Sequence, residues 1–122
     1  MANDFKRFSI SDVNTSDGAS ASAVYTVPAG AGSTALESII IGINLANTST
    51  SSVTAQVFLD HNSGSNDSYI VKDVIVPAGT SIEIMRGNKI VVENDGTTGD
   101  VIRVSCGTAT SLDAIVSVLE DV

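Results

Sequence analysis

The sequence predicts an all-β fold: a two-sheet antiparallel β-sandwich, jelly-roll-like, of about nine strands. Three observations carry that expectation. First, 43% of the 122 residues are hydrophobic, yet only 4% are aromatic and tryptophan is absent. The apolar mass sits in Val, Ile and Ala, and β-branched side chains, stiff at χ1, suit a pleated, half-buried surface. Second, apolar residues recur mostly with period two. Third, Val-Pro-Ala-Gly occurs twice, at residues 27–30 and 76–79, each time between two β-branched runs. There proline ends ladder pairing and glycine makes the corner. Residues 1–122 read as a single domain, long enough for its own core.

In chain order, "FKRFSIS" sets Lys6, Phe8 and Ile10 against Phe5, Arg7 and Ser9, a first strand whose apolar side carries Phe8 and Ile10. "NTSDGASAS" (residues 14–22) is a polar loop. "AVYTV" is a strand that stops at Pro28, and Gly30 and Gly32 turn the chain. "ALESIIIGINLAN" (residues 35–47) is the longest apolar run. Strict alternation places Ile39, Ile41, Ile43 and Leu45 on one face and Ile40, Gly42, Asn44 and Ala46 on the other. A strand apolar on both faces is central in its sheet, or a neighbouring subunit covers it. The turn at Thr48 to Ser51 leads to "SVTAQVFLD", with Val53, Ala55, Val57 and Leu59 inward and Thr54 and Gln56 outward.

"HNSGSND" reads as a hairpin loop, and "SYIVKDVIV" returns to the second Val-Pro-Ala-Gly. "TSIEIM" directs Ile82 and Ile84 one way, "RGN" is a tight turn, and "KIVVEN" and "DVIRVSC" flank the loop "DGTTGD". The final "SLDAIVSVLEDV" fits two patterns. Leu112, Ile115, Val116 and Leu119 have helical spacing, whereas Ala114, Val116 and Val118 alternate; the β-branched centre and the β context favour a strand. The expected core includes Ile39, Ile41, Ile43, Val57, Leu59, Ile82 and Ile84. Strand counting does not separate a jelly roll from an immunoglobulin-like sandwich; the jelly roll is preferred.

Composition bounds function by exclusion. Six Lys and Arg against fourteen Asp and Glu give a net charge of −8, the wrong sign for neutralising phosphates, so no nucleic-acid partner is expected. The same sign disfavours anionic membranes, and "SIIIGINLA" is too short to span a bilayer. "MANDFKRFSI" has no apolar signal region, so synthesis in a cytoplasm is expected. The single Cys106 precludes an intrachain disulfide and reads as a small buried hydrophobe beside Ile102 and Val104.

Chemistry-bearing patterns are sparse. His61 is the one histidine, which rules out a multi-histidine metal site. Asp60, His61, Asn62, Asn66 and Asp67, or Glu93, Asp95 and Asp100, could offer oxygens to calcium. These residue types are also the ordinary turn formers, and solvated loops are the expected reading. No GxSxG, GxxxxGK[ST] or GxGxxG occurs, so no enzyme, no catalytic residue and no cofactor is expected. Tyr25, Tyr69 and Phe58 are the aromatics available to a glycan-binding surface, although core packing accounts for them equally well.

The succession "VYTVPAG", "IIGINLANTS", "YIVKDVIVPAGTSIEIMRGNKIVVE" and "DVIRVS…SLDAIVSVLE" resembles small virion structural proteins of tailed bacteriophages, especially marine and cyanobacterial ones. In that set too, a Val-Pro-Ala-Gly turn leads through a short strand and a glycine-containing turn to "KIVVE". The likeness covers roughly Val24 to Glu120. It implies a non-enzymatic virion protein, first of all a capsid decoration or cement protein binding the major capsid protein. The alternatives are a neck, tail or fibre component, or a small glycan-binding module. A homo-oligomer is expected, a trimer matching capsid three-fold positions, with Ile40, Gly42, Ala46, Phe5 and Phe8 at its interface.

Overall fold

Nine strands form where the alternation places them, in a computed structural model that describes residues 4–61 and 67–120. They are β1 (Asp4–Ile10), β2 (Ser22–Thr26), β3 (Leu36–Asn47), β4 (Val53–Asp60), β5 (Asp67–Val76), β6 (Ser81–Glu83), β7 (Ile90–Asn94), β8 (Val101–Cys106) and β9 (Leu112–Glu120). The ambiguous last segment is a strand. Its alternate residues Ala114, Val116 and Val118 are fully buried, which a helix could not arrange.

Two antiparallel sheets face each other. Sheet A runs β1-β9-β3-β6, with β7 pairing the other half of the same β3 edge, and sheet B runs β2-β8-β4-β5. With β6 and β7 taken as one interrupted strand, this is the eight-strand, double Greek-key order of the jelly roll. The preferred topology is therefore the observed one. Between the sheets lie Val24, Tyr25, Val27, Ile40, Ile43, Leu45, Val57, Val92, Ile102, Val104 and Val116, among others.

Both Val-Pro-Ala-Gly motifs end strands. β2 stops at Thr26 and β5 at Val76, just before Pro28 and Pro77, and Val27 and Val76 are both fully buried. The second motif makes a tight turn, with Thr80 N–H donating to the Pro77 carbonyl at 3.2 Å and Gly79 at φ +67°, a conformation that favours glycine. The first opens a longer excursion. There Gly32 has φ +71°, whereas Gly30 matters for space, since a Cβ would lie 2.6 Å from Thr34 Oγ1.

The expected face of β3 needs correction. Ile40 opposes Val118 and Gly42 opposes Ser117 on β9, leaving Ile41 as an extra residue in a bulge. One inserted residue exchanges the faces on either side of it. Hence Ser38 and Ile40 point inward before the bulge, and Ile43, Leu45 and Asn47 after it; all five are buried. Ile39 and Ile41, expected in the core, are half-buried on the outer face. Of the other expected core residues, Ile43 and Val57 are fully buried, and Leu59, Ile82 and Ile84 pack partly buried against the core. Glu83 stabilises the strand beside the bulge: its Oε2 accepts from Ile43 N–H at 2.8 Å and Met85 N–H at 3.0 Å.

Candidate functional site

The outer faces of the two sheets differ, and the difference locates the candidate site. On sheet B the chain covers itself. The segment between β1 and β2 is held by Cys106 N–H to the Asn14 carbonyl at 3.1 Å, Gln56 Nε2 to Asp17 Oδ1 at 2.8 Å and Arg103 Nη1 to the Ala21 carbonyl at 2.8 Å. Gln56 points outward as expected but is buried by this cover, donating also to Ser105 Oγ at 2.7 Å. Beside them Arg103 Nε meets Asp60 Oδ2 at 2.7 Å, and Phe58 is fully buried.

On sheet A the outer face carries a row of apolar residues among polar and acidic ones, and no segment among the described residues covers it in this way. Register places Phe5 opposite Leu119, Leu119 opposite Ile39, and Ile39 opposite Val91, one row across β1, β9, β3 and β7. Phe5 is 78% exposed, Val91 62% and Ile115 42%, with half-buried Ile39, Ile41 and Leu119 between them. Arg7, Ser117 and Gly42 make the next row, and Asp113, Ala46 and Ser81 lie farther along. Phe5, Arg7, Ile41 and Ser117 border a shallow groove of about 600 Å³.

Of the residues expected at an interface, Phe5, Gly42 and Ala46 lie together on this face. Ile40 does not: it is fully buried in the core, turned inward by the bulge. Phe8 is half-buried: its ring packs 4.7 Å from that of Tyr25, and it also borders the groove beside Phe5. Sequence reasoning missed Ile39, Ile41, Leu119, Val91 and Ile115. Alternation along "KIVVEN" and "DAIVSVLE" is the signal that marks Val91, Ile115 and Leu119 as outward, but only the register aligns them into a row.

The calcium candidates are used as turn and strand anchors. Asp95 Oδ1 accepts from Thr97 and Thr98 N–H at 2.9 Å each, which holds its carboxyl below the usual carboxylate range. Asp100 Oδ2 accepts from Glu93 N–H at 3.0 Å. Asp60 is no loop residue: it closes β4, buried and paired with Arg103. His61 is exposed, its Nε2 3.2 Å from Ser68 Oγ; Asn62 and Asn66 lie outside the described residues. Among the described residues no group of three or more His, Cys, Asp or Glu could hold a metal ion.

A buried hydrogen-bond network bridges the sheets, and an exposed lysine of sheet A pairs with its carboxylate. Tyr25 OH lies 2.8 Å from Ser38 Oγ and donates to Glu120 Oε2 at 2.7 Å, and Lys6 Nζ meets Glu120 Oε1 at 3.0 Å. Burial, reinforced by the neighbouring carboxylate, pushes the Tyr25 hydroxyl well above its ordinary value. The hydrogen bond and charge of Glu120 raise Lys6 likewise. Cys106 is buried, its thiol donating toward the carbonyls of Thr108 at 3.1 Å and Val13 at 3.4 Å, and burial raises its pKa. A small polar recess of about 230 Å³ lies between the covering segment and β5, lined by Asp17, Gln56, Lys72, Asp73 and Ser105 among others. Of the aromatics considered for glycans, Tyr25 and Phe58 are buried. Tyr69 is partly exposed, with its ring packed on Phe58 and Lys72 Nζ 5.2 Å above it.

No family model matches the chain, and no curated protein matches it significantly. Two solved structures are similar at a low level. A chain from the structure of infectious bursal disease virus Gx strain has a TM-score of 0.28 and 12% identity, with 98% of this chain and 40% of that chain covered. A chain from the Gt strain has a TM-score of 0.24 and 14% identity, with 96% and 39% covered. This chain thus spans about two fifths of the length of those neighbours.

Proposed function

We propose that the chain is a non-enzymatic structural protein of a virion, a decoration or cement protein that binds the outer surface of a capsid built from a major capsid protein. The observation that carries this reading is the apolar row on the outer face of sheet A, exposed at Phe5, Val91 and Ile115 and uncovered among the described residues, on a chain that covers sheet B with its own segment. Contiguous exposed apolar surface marks association, and the jelly roll is a fold on which viral capsid domains are built, alongside lectins and cupins. The fold alone assigns no role. The likeness of "VIVPAGTSIEIMRGNKIVVE" to small phage virion proteins supplies the virion.

Adding the purified protein to capsids that lack it tests the reading. It should pellet with them saturably and raise their thermal stability. Labelling confined to the neck or tail would instead favour a tail component. The polar recess at Asp17, Gln56 and Lys72 favours a second reading, a glycan-binding module, which a glycan array with saturable binding abolished by Gln56→Ala would support.

A further inference from the structure

We propose that the polar recess on the outer face of sheet B binds one sugar ring through a vicinal pair of its hydroxyls, on the side of the sandwich opposite the face assigned above to the capsid. This rests on the glycan-binding reading of the recess and goes beyond it, naming the contacts and letting one chain hold both partners at once. The recess, of about 230 Å³, lies where the segment between β1 and β2, the middle of β4 and the edge strand β5 meet.

Gln56 forms its floor. The residue is 8% exposed, and both its described hydrogen bonds use the amide nitrogen, to Asp17 Oδ1 at 2.8 Å and Ser105 Oγ at 2.7 Å. A carboxylate only accepts, so the NH2 group must face Asp17 and the carbonyl oxygen Oε1 is turned elsewhere. Among the described residues Oε1 has no partner, yet no buried side-chain nitrogen or oxygen there lacks one. Oε1 therefore meets solvent, in the recess that Gln56 lines.

The rim is shaped by β5. Ala55 stands opposite Val74 and Val57 opposite Val71, so Gln56 alone faces both Lys72 and Asp73. This is a bulge, a device that re-aims side chains beside sites, and Asp73 takes it with φ +55°, a strained conformation for a residue with a Cβ. Lys72 Nζ stands 3.5 Å from Asp73 Oδ2 and 5.2 Å from the centroid of the Tyr69 ring. Gly107 keeps another part of the wall open, since a Cβ there would lie 2.7 Å from Thr54 Oγ1.

The donor set selects the ligand. Two carboxylates, Asp17 and Asp73, repel an anion. Among the described residues Ala55 is the one aliphatic side chain in the wall, which gives an apolar ligand little to bury against. Adjacent hydroxyls suit the site because each both donates and accepts: they donate to the Asp17 carboxylate and Gln56 Oε1 and accept from Lys72. The volume is below the ~300–1,000 Å³ of pockets for drug-sized ligands, which suits one ring.

Amide NMR of the isotope-labelled full chain, titrated in turn with glucose, galactose, mannose and N-acetylglucosamine, tests the proposal. At least one sugar should bind saturably with a Kd of about 1–10 mM, as a ligand of so few atoms allows, with shifts centred on the Gln56 side-chain amide, Asp73, Ser105 and Gly107. Lys72→Ala and Asp17→Asn, each shown to be folded by its own spectrum, should weaken that binding roughly threefold to tenfold. Salt at about 0.5 M should leave it unchanged, because the ligand is neutral. No saturable shift with any of these sugars, or full binding by both folded variants, would overturn the proposal. Putrescine bound in place of the sugars and released by the salt would overturn it too, by giving the recess to an ammonium group. Sugar shifts centred elsewhere would overturn this site and leave the glycan reading to another surface. Pelleting with capsids should be undiminished by the bound sugar, and mutual exclusion of the two would overturn the opposite-face arrangement.

Discussion

Asp60→Ala tests whether the outer face of sheet B is held as described. The Asp60 carboxylate is 2.7 Å from Arg103 Nε, and the two side chains are 5% and 16% exposed. Removing the carboxylate leaves a guanidinium largely out of water, its other described acceptor being the Ala21 carbonyl. Breaking a buried pair from one side costs about 3–5 kcal/mol. Because Arg103 keeps that carbonyl and some solvent, about 2–4 kcal/mol is expected here. Replacing both residues, Asp60→Leu with Arg103→Met, should recover most of the loss, since an apolar pair of similar volume is often neutral. Urea unfolding followed by circular dichroism reads both: with a slope of about 2 kcal/mol/M, the single variant should lower the midpoint by about 1–2 M. A change within about 0.5 kcal/mol, the behaviour of an ordinary surface residue, would refute the reasoning.

Three further outcomes follow from the same geometry. The bulge predicts that Ile40→Ala costs about 2–5 kcal/mol, as in a core, and Ile41→Ala about 1 kcal/mol or less. Equal costs, measured in dilute monomer by chemical denaturation, would contradict the assignment of faces. The raised pKa values of Tyr25 and Lys6 mean that the folded chain keeps protons which the unfolded chain loses near pH 10. The stability they contribute is therefore whole below about pH 10 and declines as pH rises above it; Tyr25→Phe should flatten that decline, and an unchanged alkaline profile would tell against the buried network. Cys106, buried with a raised pKa, should resist a thiol reagent at neutral pH until the chain unfolds; prompt labelling of the native protein would show the segment over sheet B to be open.

The strands and turns were legible because local chemistry determines them. Val-Pro-Ala-Gly stops a strand for reasons internal to four residues, and "SVTAQVFLD" alternates without ambiguity. β3 was harder for an equally physical reason. "SIIIGINLA" is apolar at nearly every position, so a bulge at Ile41 leaves no mark on the pattern while exchanging Ile39 and Ile41 with Ile40. Asp60 was hidden differently. It borders a run of turn-forming residues, and its partner Arg103 lies on β8, adjacent only once the Greek keys place β4 beside β8. The row Phe5, Leu119, Ile39 and Val91 is likewise a product of register: each residue is an unremarkable outward position on its own strand, and the patch exists only across four of them.

Electron cryomicroscopy of the virion at side-chain resolution tests the central claim most directly. The account predicts this jelly roll in copies that follow the capsid lattice, with the row from Phe5 to Val91 buried against protein. Its absence from the particle, or that row facing solvent in every copy, would contradict the account.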